Sequence, residues 1–141
     1  SLRRAIALDQ RYAIGHYDLG VILARRPGRE QEALQAFDRA LELNPELYWA
    51  HYERAMLHAR AGEAKPALAL LEKAFRRGFR AFDQIEEDKE WDVLREHPRF
   101  VRLLARYKEE ESLKALPLRR KKGARVRHDS PAPPEPERGD P

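Results

Sequence analysis

Cysteine is absent from the 141 residues of the chain. Without thiols the protein cannot form disulfides, hold zinc through thiolates or use a cysteine nucleophile. Long apolar runs are also missing, since the longest one, Ala67–Leu71, is far shorter than the roughly 20 residues that a membrane-spanning helix needs. The sequence therefore excludes disulfide scaffolds, thiol enzymes and helical membrane spans.

The signatures of common catalytic sites are missing too. There is no glycine-rich phosphate loop, no G-x-S-x-G motif and no histidine spacing of the metalloprotease type. His51 and His58 share one face of a predicted helix, and we interpret them as packing residues. The acidic clusters 86–92 and 109–111 are interpreted as solvated charges at helix ends. We therefore expect no catalytic residue, no metal site, no cofactor and no enzymatic activity.

Net positive charge is small in the body, where acidic residues nearly balance the basic ones, and is concentrated in the tail. The net charge is +4, but residues 119–141 carry 7 basic against 4 acidic side chains. This tail has no aromatic residue and 5 of the 10 prolines, which predicts disorder from residue 117 onward. Its basic run could contact nucleic acid or an anionic membrane, or serve only as a soluble linker. The run comprises Arg119, Arg120, Lys121, Lys122, Arg125 and Arg127.

The body contains an internal repeat. Residues 13–25 match residues 48–60 at an offset of 35, which pairs His16 with His51 and Tyr17 with Tyr52. The following segments match at an offset of 34, with Ala33, Phe37 and Ala40 aligned to Ala67, Leu71 and Ala74. Apolar residues recur at helical spacing in each half, and glycine or proline separates the halves. Each repeat is therefore predicted to be a pair of helices.

The repeat resembles the tetratricopeptide repeat (TPR) family. The residues that carry the resemblance are His16, Leu19, Gly20 and Leu23, followed by Ala33, Phe37, Ala40 and Pro45. Their spacing is similar to the W-x2-L-G-x2-Y…A-x3-F…P pattern, although histidine occupies the tryptophan position. The resemblance implies an all-α fold, a short α-solenoid of helix-turn-helix repeats, in which small residues allow close helix approach and Phe37 fills the space between neighbours.

The segment after the repeats resembles the closing segment of such arrays. Trp91 and Leu94 are expected to cover the last repeat, and Pro98 is expected to begin a final helix. Phe100, Leu103, Leu104 and Tyr107 then form a helical stripe. The predicted parts are a truncated half repeat (1–10), two repeats (11–45 and 46–79), the closing segment (80–116) and the disordered tail (117–141).

A repeated stripe on the first helix of each repeat is the candidate site. In the TPR family the matching face lines a concave groove that binds peptides or partner helices. The alternative is that the aromatic rings simply pack in the core. The Lys/Asn/Arg clamp that some members use to hold an acidic C-terminus is absent, which disfavours that partner. The predicted groove comprises Ile14, Tyr17, Asp18, Val21, Arg25, Trp49, Tyr52, Glu53, Met56 and Arg60.

Partner binding is the function that these patterns favour. We expect a non-catalytic scaffold or adaptor that binds a protein or peptide segment in the predicted groove. Two alternatives stay open: attachment to nucleic acid or membrane through the tail, or a regulatory region of a larger enzyme. The apolar face of Leu2, Ala5 and Ile6 predicts that earlier repeats or a second copy cover it, the latter by self-association. A cytoplasmic location is expected, which a signal or anchor upstream of residue 1 would change.

Overall fold

The computed structural model describes residues 2–116, apart from the side chain of Ile6, and within this range every regular element is helical. This confirms the all-α prediction. Six α-helices and one 3₁₀ helix follow one another along the chain. They are α1 (Leu2–Ala24), α2 (Glu30–Leu43), α3 (Tyr48–Arg60), α4 (Ala64–Arg76), α5 (Phe82–Glu87), the 3₁₀ helix (Lys89–Leu94) and α6 (Pro98–Ala115).

The first four helices form two successive hairpins. Helix α1 packs mainly on α2, and α3 packs mainly on α4. Each hairpin turn contains a glycine with positive φ, +80° at Gly28 and +81° at Gly62. Because side chains strongly disfavour this conformation, glycine permits the chain to reverse at these two points. The two glycines lie 34 residues apart, in agreement with one offset of the repeat.

Helix α1 differs from the expected boundary at residue 10. The expectation was a truncated half repeat followed by a new helix, whereas α1 is continuous from Leu2 to Ala24. The reason is the residue at the junction. Pro45 ends the corresponding segment 35 residues later, but Gln10 stands at the equivalent place and has a backbone N–H that continues the helical ladder.

Gly20 sets the close approach of α1 to α2. A Cβ at this position would lie 2.5–2.8 Å from three atoms of the Phe37 ring, and Phe37 is fully buried. Ala33 and Ala40, on the same face of α2, are also fully buried. The prediction that small residues allow close packing while Phe37 fills the interface is therefore confirmed.

The substitution Gly20→Ala tests this contact. Alanine favours a helix by about 1 kcal/mol over glycine, but overpacking a core costs about 1–3 kcal/mol. We expect a net loss of up to about 2 kcal/mol in the free energy of unfolding relative to the wild type, measured by urea denaturation in dilute solution. Gly15→Ala is the control on the same helix, because a Cβ there meets nothing within 4 Å. A Gly20→Ala variant as stable as Gly15→Ala would contradict the close approach.

The closing segment packs on α3 and α4. Trp91 is fully buried and stacks on Phe100, with ring centroids 5.6 Å apart, and Tyr107 stacks on Phe75 at 4.7 Å. Pro98 is the first residue of α6, as expected. Leu94 and the stripe residues of α6 are buried as well. Trp91 and Leu94 therefore lie in the contact between the closing segment and the hairpin of α3 and α4.

Arg80 attaches α6 to the end of α4. Its guanidinium donates to the carbonyls of Phe75 and Phe79, both at 2.7 Å, and lies over the Tyr107 ring. Its Nε also pairs with a Glu111 carboxylate oxygen at 2.7 Å. Burial alone would raise the pKa of Glu111, but Arg80 and Lys114 outweigh it and lower that pKa. Four contacts on one half-buried side chain thus hold the closing segment in place.

Candidate binding groove

A concave pocket of about 220 Å³ lies where the end of α1, helix α3 and the closing segment meet. We call it the groove pocket. Its walls come from three parts of the chain that are far apart in sequence. It is lined by Val21, Ala24 and Arg25 of the first hairpin; by Trp49, Tyr52, Glu53, Met56, Leu57 and Arg60 of α3; and by Gln84, Asp88 and Glu90 of the closing segment.

Seven of the ten residues of the predicted groove line this pocket. The other three do not. Ile14 is exposed near the middle of α1, Asp18 is half-buried one turn further on, and Tyr17 is buried with its ring 5.9 Å from that of Phe37. For Tyr17 the alternative interpretation, a packed core residue, describes the structure. On α1, the end of the predicted groove stripe that is nearer Arg25 therefore faces the pocket, and the earlier part does not.

Trp49 provides a fixed apolar surface in the pocket. Its ring is half-buried and meets Phe79 edge to face, with centroids 4.9 Å apart. It meets Tyr52 in the same way at 5.9 Å. Met56 and Val21 are half-buried beside it. The contacts with Phe79 and Tyr52 thus hold the Trp49 ring in one orientation.

Tyr52 lies at the base of the pocket and is fully buried, so it is no exposed docking ring. Its hydroxyl donates to a carboxylate oxygen of Asp88 and accepts the indole N–H of Trp91 at 3.1 Å. Burial, followed by the Asp88 carboxylate, raises the pKa of Tyr52 well above its usual value. The phenol stays protonated and links α3 to the closing segment.

The closing segment forms a wall of the pocket that sequence reasoning missed. Asp88 and Glu90 belong to the acidic cluster interpreted as solvated helix-end charge, yet both are half-buried and line the pocket. Asp88 accepts from the Gln84 amide at 3.0 Å, and its carbonyl accepts from Arg95 at 2.9 Å. Both lie at the start of the 3₁₀ helix, as that interpretation expects, but they are half-buried because the chain folds back and places them against α3.

Two equivalent arginines have different environments at the pocket rim. Arg60 donates to the Ala24 carbonyl at 2.9 Å, where it satisfies the end of α1, and lies 3.7 Å from the Glu90 carboxylate. Arg25, 35 residues earlier, is exposed and makes no ion pair within residues 2–116. Among the described residues, the two arginines thus differ in that Arg60 is tied to its neighbours and Arg25 extends into solvent.

His51 lies outside the groove pocket and is almost completely buried, with 5% of its surface exposed. It lines a second cavity of about 400 Å³ together with Arg54, Lys73 and Arg77. Burial, followed by the charges of Lys73, Arg54 and Arg77, lowers the pKa of His51 to about 4. The structure thus places His51 as a neutral packing residue.

The remaining expectations concern metal, membrane and tail. In the part of the chain that the structure describes, no group of three or more histidine or acidic side chains is placed to hold a metal ion. Likewise, none of the helices between residues 2 and 116 has the length and apolar character needed to cross a bilayer. The basic run Arg119–Arg127 lies outside the described residues.

Comparison of the chain with known protein families, with curated proteins and with solved structures gave no match.

Proposed function

We propose that the chain is a non-catalytic scaffold that binds a segment of a partner protein in the groove pocket. One observation carries the proposal: residues singled out by their repetition in sequence line a single concave cavity. Two successive hairpins with matching turn glycines support, within the same proposal, a short α-solenoid of TPR-like repeats closed by C-terminal helices.

The size of the pocket indicates what it could hold. Small-molecule pockets usually measure about 300–1,000 Å³, whereas the groove pocket measures about 220 Å³. It suits one large side chain of a peptide better than a whole cofactor or metabolite. Val21, Trp49 and Met56 would contact that side chain, while the charges of Arg25 and Glu53 lie at the rim. We therefore expect a partner segment with an exposed apolar anchor.

A peptide selection tests the proposal. A library of random linear peptides displayed on phage would be selected on the full chain, and the affinity of the recovered peptides measured by fluorescence polarisation. Met56→Lys is the test variant, because Met56 is half-buried on the pocket surface. Charging this surface is expected to weaken binding at least about tenfold. Tyr17 and Tyr52 are unsuitable for the test, since both are buried and their loss would disturb the fold.

Val101→Lys is the matched control, since Val101 is an exposed apolar residue on α6 that does not line the pocket. Its affinity for the peptides should equal that of the wild type, and binding should change little with salt, because apolar contacts are weakly screened. The proposal fails if Met56→Lys binds as well as Val101→Lys. Binding that ignores both substitutions and falls steeply with salt would instead favour attachment through the basic tail.

A further inference from the structure

A second apolar surface runs along α1 on the side away from α2. Ala13, Tyr17 and Gly20 face the core, whereas the stripe on the other side is exposed to solvent. Tyr12 is 59% exposed, Leu19 46% and Ile22 52%. The stripe, which we call the outer stripe, comprises Ala5, Leu8, Tyr12, Gly15, Leu19 and Ile22. It lies apart from the groove pocket, and the proposed function does not use it.

The spacing of the outer stripe is that of a helix-pairing seam. Its six positions are separated by three, four, three, four and three residues. Apolar residues at alternating intervals of three and four are the a and d positions of a heptad, which face a partner helix. Leu2 is also exposed, but it does not follow this spacing. The self-association expected from Leu2, Ala5 and Ile6 is therefore better assigned to the outer stripe, which retains only Ala5 of those three.

We propose that the outer stripe pairs with the same stripe of a second copy of the chain, with the two α1 helices antiparallel about a two-fold axis between Tyr12 and Gly15. In such a pair each a residue faces a d residue of the other copy, and every contact occurs twice. Tyr12 then faces Gly15, Leu8 faces Leu19, and Ala5 faces Ile22.

Size complementarity supports this register. A Cβ built on Gly15 meets no atom within 4 Å, so the space above this glycine is open. Tyr12 is the largest side chain of the stripe, and the two-fold axis brings it over Gly15 of the second copy, which has no side chain. The other two layers join leucine to leucine and alanine to isoleucine. Large residues thus meet small ones at the centre of the seam, as close helix packing requires.

Charge complementarity supports the antiparallel direction. The residues that flank the central part of the seam, between residues 8 and 19, are Asp9 and His16 on one side and Arg11 and Asp18 on the other. In the proposed register Arg11 lies nearest Asp18 of the second copy, and Asp9 lies nearest His16. In a parallel, in-register pair Arg11 would instead lie beside His16 of the second copy, which offers it no carboxylate. The flanking charges thus favour the antiparallel pair as the occupant of this surface.

The first test is the mass of the full chain in solution. Sedimentation equilibrium should show a dimer for the wild type and a monomer for Leu19→Lys. The dissociation constant of the dimer should rise at least about tenfold, because each substitution occurs twice in the seam. Val101→Lys, an exposed apolar residue of α6, is the control and should remain dimeric. A monomeric wild type, or a Leu19→Lys variant that dimerises as well as Val101→Lys, overturns the proposal.

The second test determines the register by disulfide cross-linking. Because the chain has no cysteine, an introduced cysteine is the sole thiol of each variant. Leu8→Cys and Leu19→Cys are prepared separately, and their circular dichroism is compared with that of the wild type. Under mild oxidation a mixture of the two should form a covalent heterodimer, whereas either variant alone should not. In the proposed register the two Leu8 positions lie about 16 Å apart along the axis, which is beyond the reach of a disulfide. Efficient cross-linking of one variant alone overturns the antiparallel arrangement.

Discussion

Replacing Trp91 by alanine is expected to lower the free energy of unfolding by about 4 kcal/mol, the largest effect of any single substitution considered. Trp91 is fully buried, and large-to-small changes of buried aromatic residues cost about 3–5 kcal/mol. Small domains have only about 5–15 kcal/mol of stability in total. The variant should therefore unfold at much lower urea concentration, with the transition followed by circular dichroism.

The size of this effect follows from what the indole touches. Its ring stacks on Phe100 of α6 and packs against Tyr52 of α3, and its N–H donates to the Tyr52 hydroxyl. Alanine would remove both ring contacts and the donor. Because Asp88 and Glu90 come just before Trp91 in the chain, the wall of the groove pocket that they form should loosen when the indole is removed. Peptide binding is then expected to weaken together with stability.

Two milder variants separate packing from hydrogen bonding. Trp91→Phe keeps an aromatic ring but loses the N–H, and Tyr52→Phe removes the hydroxyl between Trp91 and Asp88. Each substitution should lower the free energy of unfolding by about 1–3 kcal/mol, the usual effect of leaving a buried polar group without its partner. The double variant should cost less than the sum of the two, since both remove the same hydrogen bond. A loss below about 1 kcal/mol for Trp91→Ala would contradict the packed closing segment.

Helix positions and turns could be predicted because local chemistry determines them. Glycine is the residue type that adopts positive φ at little cost, and Gly28 and Gly62 reverse the chain in this way. Pro98 begins α6, where its missing N–H is harmless. The repeat offset predicts a boundary at residue 10, but no helix-breaking residue stands there. Gln10 has a backbone N–H that continues the helical ladder, so α1 runs through this position.

The candidate site could be predicted only in part, since one helical stripe fits both a core and a groove. Tyr17 and Val21 have the same spacing on α1, yet Tyr17 packs against Phe37 while Val21 lines the pocket. Which of them is covered depends on neighbouring helices, and helical spacing carries no information about those. Asp88 illustrates the same limit: its contact with Tyr52 spans 36 residues, and no local pattern indicates it.

Lowering the pH from 6.5 to about 4 is expected to destabilise the protein through His51 by about 3 kcal/mol. The pKa of this histidine is lowered from 6.5 to about 4 in the folded chain, first by burial and then by the charges of Lys73, Arg54 and Arg77. In this window the unfolded chain binds a proton that the folded chain does not, so stability falls as the pH falls. Below about pH 4 both states are protonated, and the contribution of His51 no longer changes.

The charges around His51 allow a direct test of this cause. Asp38 and Glu42 of α2 line the same cavity as Arg54 of α3 and Lys73 of α4, so His51 is one of several ionisable groups there. Urea denaturation of the wild type and of His51→Gln should therefore be compared at each pH, because the difference isolates the histidine. Lys73→Gln removes the largest single charge effect on His51. It should raise the pKa of the ring towards 6.5 and shrink the pH dependence. Parallel curves for wild type and His51→Gln would show that the ring is not held neutral by burial.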